Sequence, residues 1–260
     1  MRQIVLLKVI PDLPEIKIDR ETRRPIIGGV KRKISEVDKR ALEAAIRLKE
    51  KAGGEVIALS QGGEKTQTAL LEALAMGADE SYVVYDPELS GLDPNATSLV
   101  LKHAVELIGE FDLILAGEMS LDGMNSQVGP RVAELLDLPQ VTYVKQLMYE
   151  DGGLNAVRDL DYFDEEVKVP FPAVLTVVRE INEPRIPGLM QIMKAKKKPQ
   201  ISWSATDLSL NPEDINEQSI VRVLDVVAPE IDRKQIIIEA ESVEEAAEKL
   251  ADALMEEGVI

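Results

Sequence analysis

The chain has 260 residues, 45% of them hydrophobic, with no cysteine, one histidine and a formal charge of −17 at pH 7. Without cysteine it builds no disulfide, thiolate metal site or iron–sulfur cluster of its own, and His103 alone is too little for a catalytic zinc. The acidic excess repels a phosphate backbone and argues against nucleic-acid binding.

The first apolar run is broken by Lys8 and stopped by Pro11, too short for a signal peptide, and no stretch approaches a membrane span. The expectation is a soluble cytoplasmic protein. In chain order, IVLLKVI (4–10) predicts a buried strand. Residues 11–33, rich in Pro, Gly and charge, predict a long loop with room for a small hairpin. Ser35 stands as an N-cap before a helix in which Val37, Leu42, Ala45, Ile46 and Leu48 keep close to helical spacing. Gly53-Gly54 ends it. EVIALSQ (55–61), ESYVVYD (80–86) and FDLILAG (111–117) predict further strands. Helices are expected over 64–77, within 92–109 and after 127. In the last, Val128, Val132, Leu135 and Leu136 share one face, expected to be buried. Strands alternating with helices at this spacing indicate an α/β fold with a doubly wound, mostly parallel sheet.

After residue 140 the pattern changes. Residues 141–170 contain two strand-like runs around Asp151-Gly152-Gly153, a hairpin signal, and PAVLTVVRE (172–180) predicts a strand returning to the sheet. From Asn182 the chain is irregular, with three prolines before Trp203, and reads as an extended arm. The division is an α/β domain over 1–182 and an arm over 183–260. Near the end, Ser242 and Glu245 have the spacing of a capping box. Val243, Ala246, Ala247, Leu250 and Leu254 make one apolar stripe, so this terminal helix is expected to dock on something.

Ligands of open parallel sheets sit beyond the carboxyl ends of the strands. LDGMNSQVGP (121–130) lies at such an end and opens a helix, whose unpaired N–H groups and dipole favour an anion. Gly117, Gly123 and Gly129 let a backbone approach a ligand, and Asn125, Ser126 and Gln127 add donors. Thr97 and Ser98 open a second helix. The alternative, that Asp122, Asn125 and Ser126 only cap a helix, fits the pattern equally well. Gly62-Gly63-Glu64-Lys65 lacks the spacing of a P-loop, His103 reads as a packed or surface residue, and no nucleophile–base pair is visible. Lys194, Lys196, Lys197 and Lys198 read by default as a solvated surface, with an acidic partner as the alternative, while Leu189, Met190, Ile192 and Met193 just before them read as a contact surface.

VREINEPRIPGLMQIMKAKKKP (178–199) resembles the signature segment of the electron-transfer flavoprotein beta subunits. ALAMGAD (73–79), ALEAAIRLKE (41–50), FDLILAG (111–117) and the DG…QVGP of 122–130 are similar to the same family. The resemblance implies a heterodimer with an alpha subunit that carries the shuttling flavin, and an arm on this chain that wraps that subunit. It implies a nucleotide site in this chain holding AMP in simple members. In electron-bifurcating members it holds FAD, which takes a hydride from NADH and divides the electrons between the alpha-subunit flavin and a low-potential acceptor such as ferredoxin. Asp122-Gly123 followed by Gln127-Val128-Gly129-Pro130 is similar to the bifurcating and nitrogen-fixation-related members, which favours FAD, with AMP as the alternative. Glu118 stands where members carry a basic residue, and Met124 where Asp is common.

Carried over by position, the nucleotide pocket comprises Leu6, Lys8, Val9, Asp38, Ser60, Gln61, Gly62, Asp93, Ala96 and Thr97. The phosphate segment adds Gly117, Asp122, Gly123, Asn125, Ser126, Gln127, Val128 and Gly129. Pro187, Gly188 and Leu189 match the loop that meets dehydrogenase partners, and ferredoxin or a quinone reductase are the further acceptors implied. The chain would supply binding and geometry and the flavin the redox chemistry. A third reading, a free-standing nucleotide-binding protein of the ATP-hydrolysing or stress type, would lack the signature segment.

Overall fold

The computed structural model describes residues 1–150, 153–230 and 233–260. The elements run β1 (Arg2–Leu6), β2 (Val9–Pro11), β3 (Lys17–Ile18), β4 (Pro25–Ile26), β5 (Arg32–Ile34), α1 (Glu36–Ala52), β6 (Glu55–Gln61), α2 (Thr66–Met76) and β7 (Glu80–Val84). They continue with α3 (Pro94–Ile108), β8 (Leu113–Gly117), α4 (Val128–Leu135), β9 (Gln140–Glu150), β10 (Gly153–Leu160), β11 (Phe163–Val169) and β12 (Ala173–Val177). Last come α5 (Leu189–Ala195), β13 (Gln200–Trp203), α6 (Pro212–Glu217) and α7 (Val243–Glu256).

Among the described residues nine strands form one sheet, ordered β11-β10-β9-β12-β8-β1-β6-β7-β13. All neighbours from β9 to β13 are parallel; β10 pairs antiparallel with β9 and β11. This is the mostly parallel α/β sheet the alternation predicted. Its central strands are apolar on both faces because helices cover both. Val5 and Leu7 join a core with α1 and α2, while Ile4 and Leu6 join one with α3 and α4.

The run 4–10 is two strands rather than one. The Leu7 N–H still donates to the Leu59 carbonyl at 2.8 Å, but the Lys8 N–H turns to the Asp38 carboxylate at 2.7 Å. A buried carboxylate is the stronger acceptor, and it pulls the chain out of the sheet. β2 then pairs with β5, and β3 with β4, the small hairpin of the 11–33 loop. In α4 the buried residues are Gly129, Val132 and Ala133, which rotates Leu135 outward to 37% exposure, against the expected face.

The turn expected at Asp151-Gly152 lies outside the described residues; on either side of it Glu150 pairs with Gly153. Residues 153–169 form two strands joined at Asp161, whose φ of 55° is left-handed. Part of the segment read as an extended arm also joins the sheet. β13 pairs with β7, α5 packs on α2, and Trp203 lies 4.7 Å from Tyr82 between ring centroids. Four residues suffice here because β7 offers a ready edge, while the irregular sequence around them hides the strand. Residues 219–230 and 233–241 form neither helix nor strand, with Ile220, Val223, Leu224 and Ile237 exposed. Ser242 caps α7 by accepting from the Glu245 N–H at 3.2 Å, and Glu245 reaches back to the N–H of Glu241 at 2.9 Å. Among the described residues none in α7 is buried, so its apolar stripe finds no core in this chain.

Candidate functional site

β6 and β7 lie on one side of β1, β8 and β12 on the other, so the topology reverses between β1 and β8. The carboxyl ends of that pair form the crevice in which such sheets bind ligands. Asp38, in the first turn of α1, sits buried beneath it. One oxygen accepts the Lys8 N–H at 2.7 Å and the other the Gly117 N–H at 3.1 Å, so a single carboxylate ties the two strand ends. Burial pushes the Asp38 carboxyl up to about 7; the two N–H groups and the Lys8 charge oppose this, and Asp122 adds to it. A side chain at 117 is excluded, since a Cβ there would lie 2.5 Å from Asp38 Oδ1.

Above this floor Lys8 Nζ donates to Asp122 Oδ1 at 2.9 Å and Ser120 Oγ at 3.3 Å. Burial resists ionisation of Asp122, yet the hydrogen bonds from Lys8 and Ser120 hold its carboxyl below the usual range. Around the position a Cβ of Gly123 would take stand Asn125 Nδ2 at 3.2 Å, Lys8 Nζ at 3.6 Å and Ser120 Oγ at 3.7 Å. Polar side chains therefore converge where residue 123 has none. Met124 and Ser126 are left-handed, with φ of 49° and 52°, and Gln127 follows at φ −110°. Opposite-handed neighbours turn successive N–H groups toward one point, an anion-binding concavity. Among the described residues no protein acceptor pairs with the backbone N–H groups of Asn125, Ser126, Gln127, Val128 and Gly129. Cation, amides and helix start together suit a phosphate.

The remaining candidates divide by what they touch. Ser60 is fully buried at the end of β6 with a hydroxyl that lacks a protein partner. Gln61 donates to the Leu89 carbonyl at 3.0 Å and the Gly62 N–H to Val84 at 3.1 Å, both serving the strand-to-helix turn. Leu6 on β1 and Ala96 on α3 belong to the core between the sheet and α3 and α4, and Val9 packs on the α1 side. Thr97 lies half-buried in the first turn of α3. Asp93 caps α3 through the Ala96 N–H at 2.9 Å and holds the Val221 N–H at 3.0 Å. Burial opposes its charge, and these N–H groups keep its carboxyl below the usual range. The Ser98 hydroxyl is spent on the Pro94 carbonyl at 2.6 Å. Val128 packs half-buried on the same core as α3, and a Cβ on Gly129 would lie 2.5 Å from Thr176 Cγ2, so this glycine admits β12 to α4.

A family profile described as "Electron transfer flavoprotein domain" matches residues 26–208. The chain is 37% identical over 262 residues to "Electron transfer flavoprotein subunit beta" of Thermoanaerobacterium thermosaccharolyticum, covering 100% of both. It is 40% identical over 215 residues to the protein of that name from Bacillus subtilis, covering 82% of this chain and 83% of the other. The chain belongs to the electron transfer flavoprotein beta-subunit family. Within that family it is also 36% identical over 262 residues to "Caffeyl-CoA reductase-Etf complex subunit CarD" of Acetobacterium woodii, again covering 100% of each.

In this electron transfer flavoprotein subunit the dehydrogenase-loop candidates follow Arg185, which binds Glu43 of α1, and lead into α5, which packs on α2. Gly188 and Leu189 are exposed and Pro187 half-buried at the start of α5. Sequence reasoning missed Arg131, which reaches Gln127 Oε1 at 3.1 Å and Asn95 Oδ1 at 2.9 Å, joining the first turns of α4 and α3. Its spacing of four from Gln127 was the available signal. It also missed Ser120 beside Lys8, for which the sequence offers none. Glu118 is half-buried at the end of β8, its carboxyl pushed up by burial and by Glu180. Of the basic run, Lys198 turns inward to cap α2 through the Leu74 and Ala78 carbonyls. His103 lies half-buried on α3, 3.7 Å from Glu106. Among the described residues no helix is long and apolar enough to cross a membrane.

Proposed function

We propose that this chain, paired with an alpha subunit, holds FAD in the β1/β8 crevice. In this reading the pair carries electrons from NADH or a dehydrogenase to further acceptors by flavin-based bifurcation. The observation that carries the reading is the row of N–H groups over 125–129 without a protein acceptor, just after Asp122, which Lys8 binds. These groups and Lys8 would hold the pyrophosphate, Asn125 and Ser126 would add hydrogen bonds, and the unpartnered hydroxyl of Ser60 at the end of β6 would be a further donor. Asp38 holds both strand ends in place, and the glycine at 123 lets Asn125, Lys8 and Ser120 converge beside the phosphate segment. A bound flavin would supply hydride and single-electron chemistry; the chain orients it and shields it from water. The name of the Acetobacterium relative, a subunit of a caffeyl-CoA reductase complex, supports placing this chain beside a dehydrogenase.

Exposed apolar residues of 219–241 and the undocked stripe of α7 suit a strap around the alpha subunit, and the loop 186–193 suits contact with the dehydrogenase. The test is to purify the heterodimer, release its nucleotides by denaturation and count them. Two FAD per pair is the expected result. One FAD with one AMP leaves a single-flavin carrier and overturns the bifurcating reading.

A further inference from the structure

Four residues of α1 on one face, Arg40, Glu43, Arg47 and Glu50, meet the segment just before the apolar loop. Asn182 Nδ2 donates to the Arg40 carbonyl at 3.0 Å, and Arg47 Nη2 to the Glu183 carbonyl at 3.1 Å. Arg185 does most. It binds Glu43 through Nε at 2.8 Å, Nη2 at 3.1 Å and its backbone N–H at 3.2 Å. It binds Glu50 through Nη1 at 2.6 Å and Nη2 at 3.1 Å. The Glu43 side chain is only 2% exposed, so this is a largely dry, multidentate pair rather than a loose surface contact.

The next residue, Ile186, is 93% exposed, and Leu189 at 75% leads Met190, Ile192 and Met193 on the solvent side of α5. An apolar loop with nothing to pack on would ordinarily collapse or fray. Here both ends are fixed: Arg185 at α1, and beyond the loop the buried Ala195 and Lys198 at α2. A loop held in its binding shape loses less freedom on docking.

We propose that Arg185 is a positioning residue, clamped by Glu43 and Glu50, that holds the loop 186–193 in the shape a redox partner binds. This rests on the docking role of that loop, so the experiment separates the two. The heterodimer is prepared as wild type, Arg185→Lys, Glu43→Gln and Leu189→Ala. Each is assayed for flavin reduction by a purified flavin-dependent acyl-CoA dehydrogenase with its acyl-CoA substrate, and amide exchange is followed over 186–193. Arg185→Lys keeps the charge but loses the fork. It should speed exchange in the loop and raise the KM for the dehydrogenase roughly tenfold, with kcat, subunit pairing and flavin content held. Glu43→Gln should act in the same direction. Leu189→Ala should raise KM without changing exchange. If Leu189→Ala raises KM and Arg185→Lys does not, the clamp has no positioning role. If Leu189→Ala leaves KM unchanged, the docking role fails and the positioning inference falls with it. Unaltered exchange in Arg185→Lys overturns the clamp whatever the kinetics.

Discussion

At Asp38 one carboxylate bonds the ends of two strands, and the cost of burying it governs how the fold responds to pH. Its folded pKa of about 7 lies above the ordinary carboxyl value of 3.8, so the native state binds a proton that the unfolded chain has released. Stability from this group is therefore complete below pH 4, falls as pH rises toward 7 and is level above, with a limiting slope of about 1.4 kcal/mol per pH unit. Asp38→Asn should flatten that component in denaturant titrations across this range. It should also lower stability at pH 7 by about 1–3 kcal/mol, because an amide offers one acceptor where two N–H groups point. Equal pH slopes in the two proteins would count against the raised pKa. Asp38 was legible only through family resemblance, since one acid in a first helical turn reads as a partner for the helix dipole. Lys8, by contrast, was legible as the break in an apolar run, though not as the cation facing Asp122.

At the scale of elements, glycine decides how closely α4 approaches the sheet. A Cβ at 129 meets the Thr176 methyl at 2.5 Å, well inside contact distance. Gly129→Ala should cost about 1–3 kcal/mol in urea unfolding, and Thr176→Ser, which removes that methyl and keeps the hydroxyl, should recover more than half. No recovery would place the strain elsewhere. This glycine was read from the sequence as room for a ligand; position alone does not say which neighbour needs the space. Strands with apolar runs and Gly-rich ends were legible, β6 to the residue. β11 and β13 were not. FDEEVKV is largely exposed at a sheet edge, and QISW follows a run of lysines and has only four residues, so neither shows the pattern of a buried strand.

For the whole molecule, the boundary of what can be removed differs from the one composition suggested. A cut at 183 would delete β13, whereas residues 223–260 touch the body through exposed pairs such as Arg24 with Asp225 and Arg23 with Glu230. Deleting 223–260 should leave Trp203 packed against Tyr82, with unchanged fluorescence and sheet content, while co-purification of the alpha subunit is lost. Retention of the alpha subunit would remove the strap from the arm. The return of the chain at β13 has one more consequence. Between β12, near the middle of the sheet, and β13, at its far edge, residues 178–199 run across α1 and α2 like a bridge footed on both banks. The span over 186–193 contributes little to the buried core, so its side chains are free to change without disturbing the footings. On the docking role proposed for this loop, a lineage could thus exchange one client for another by rewriting eight residues, leaving the β1/β8 crevice and the sheet untouched.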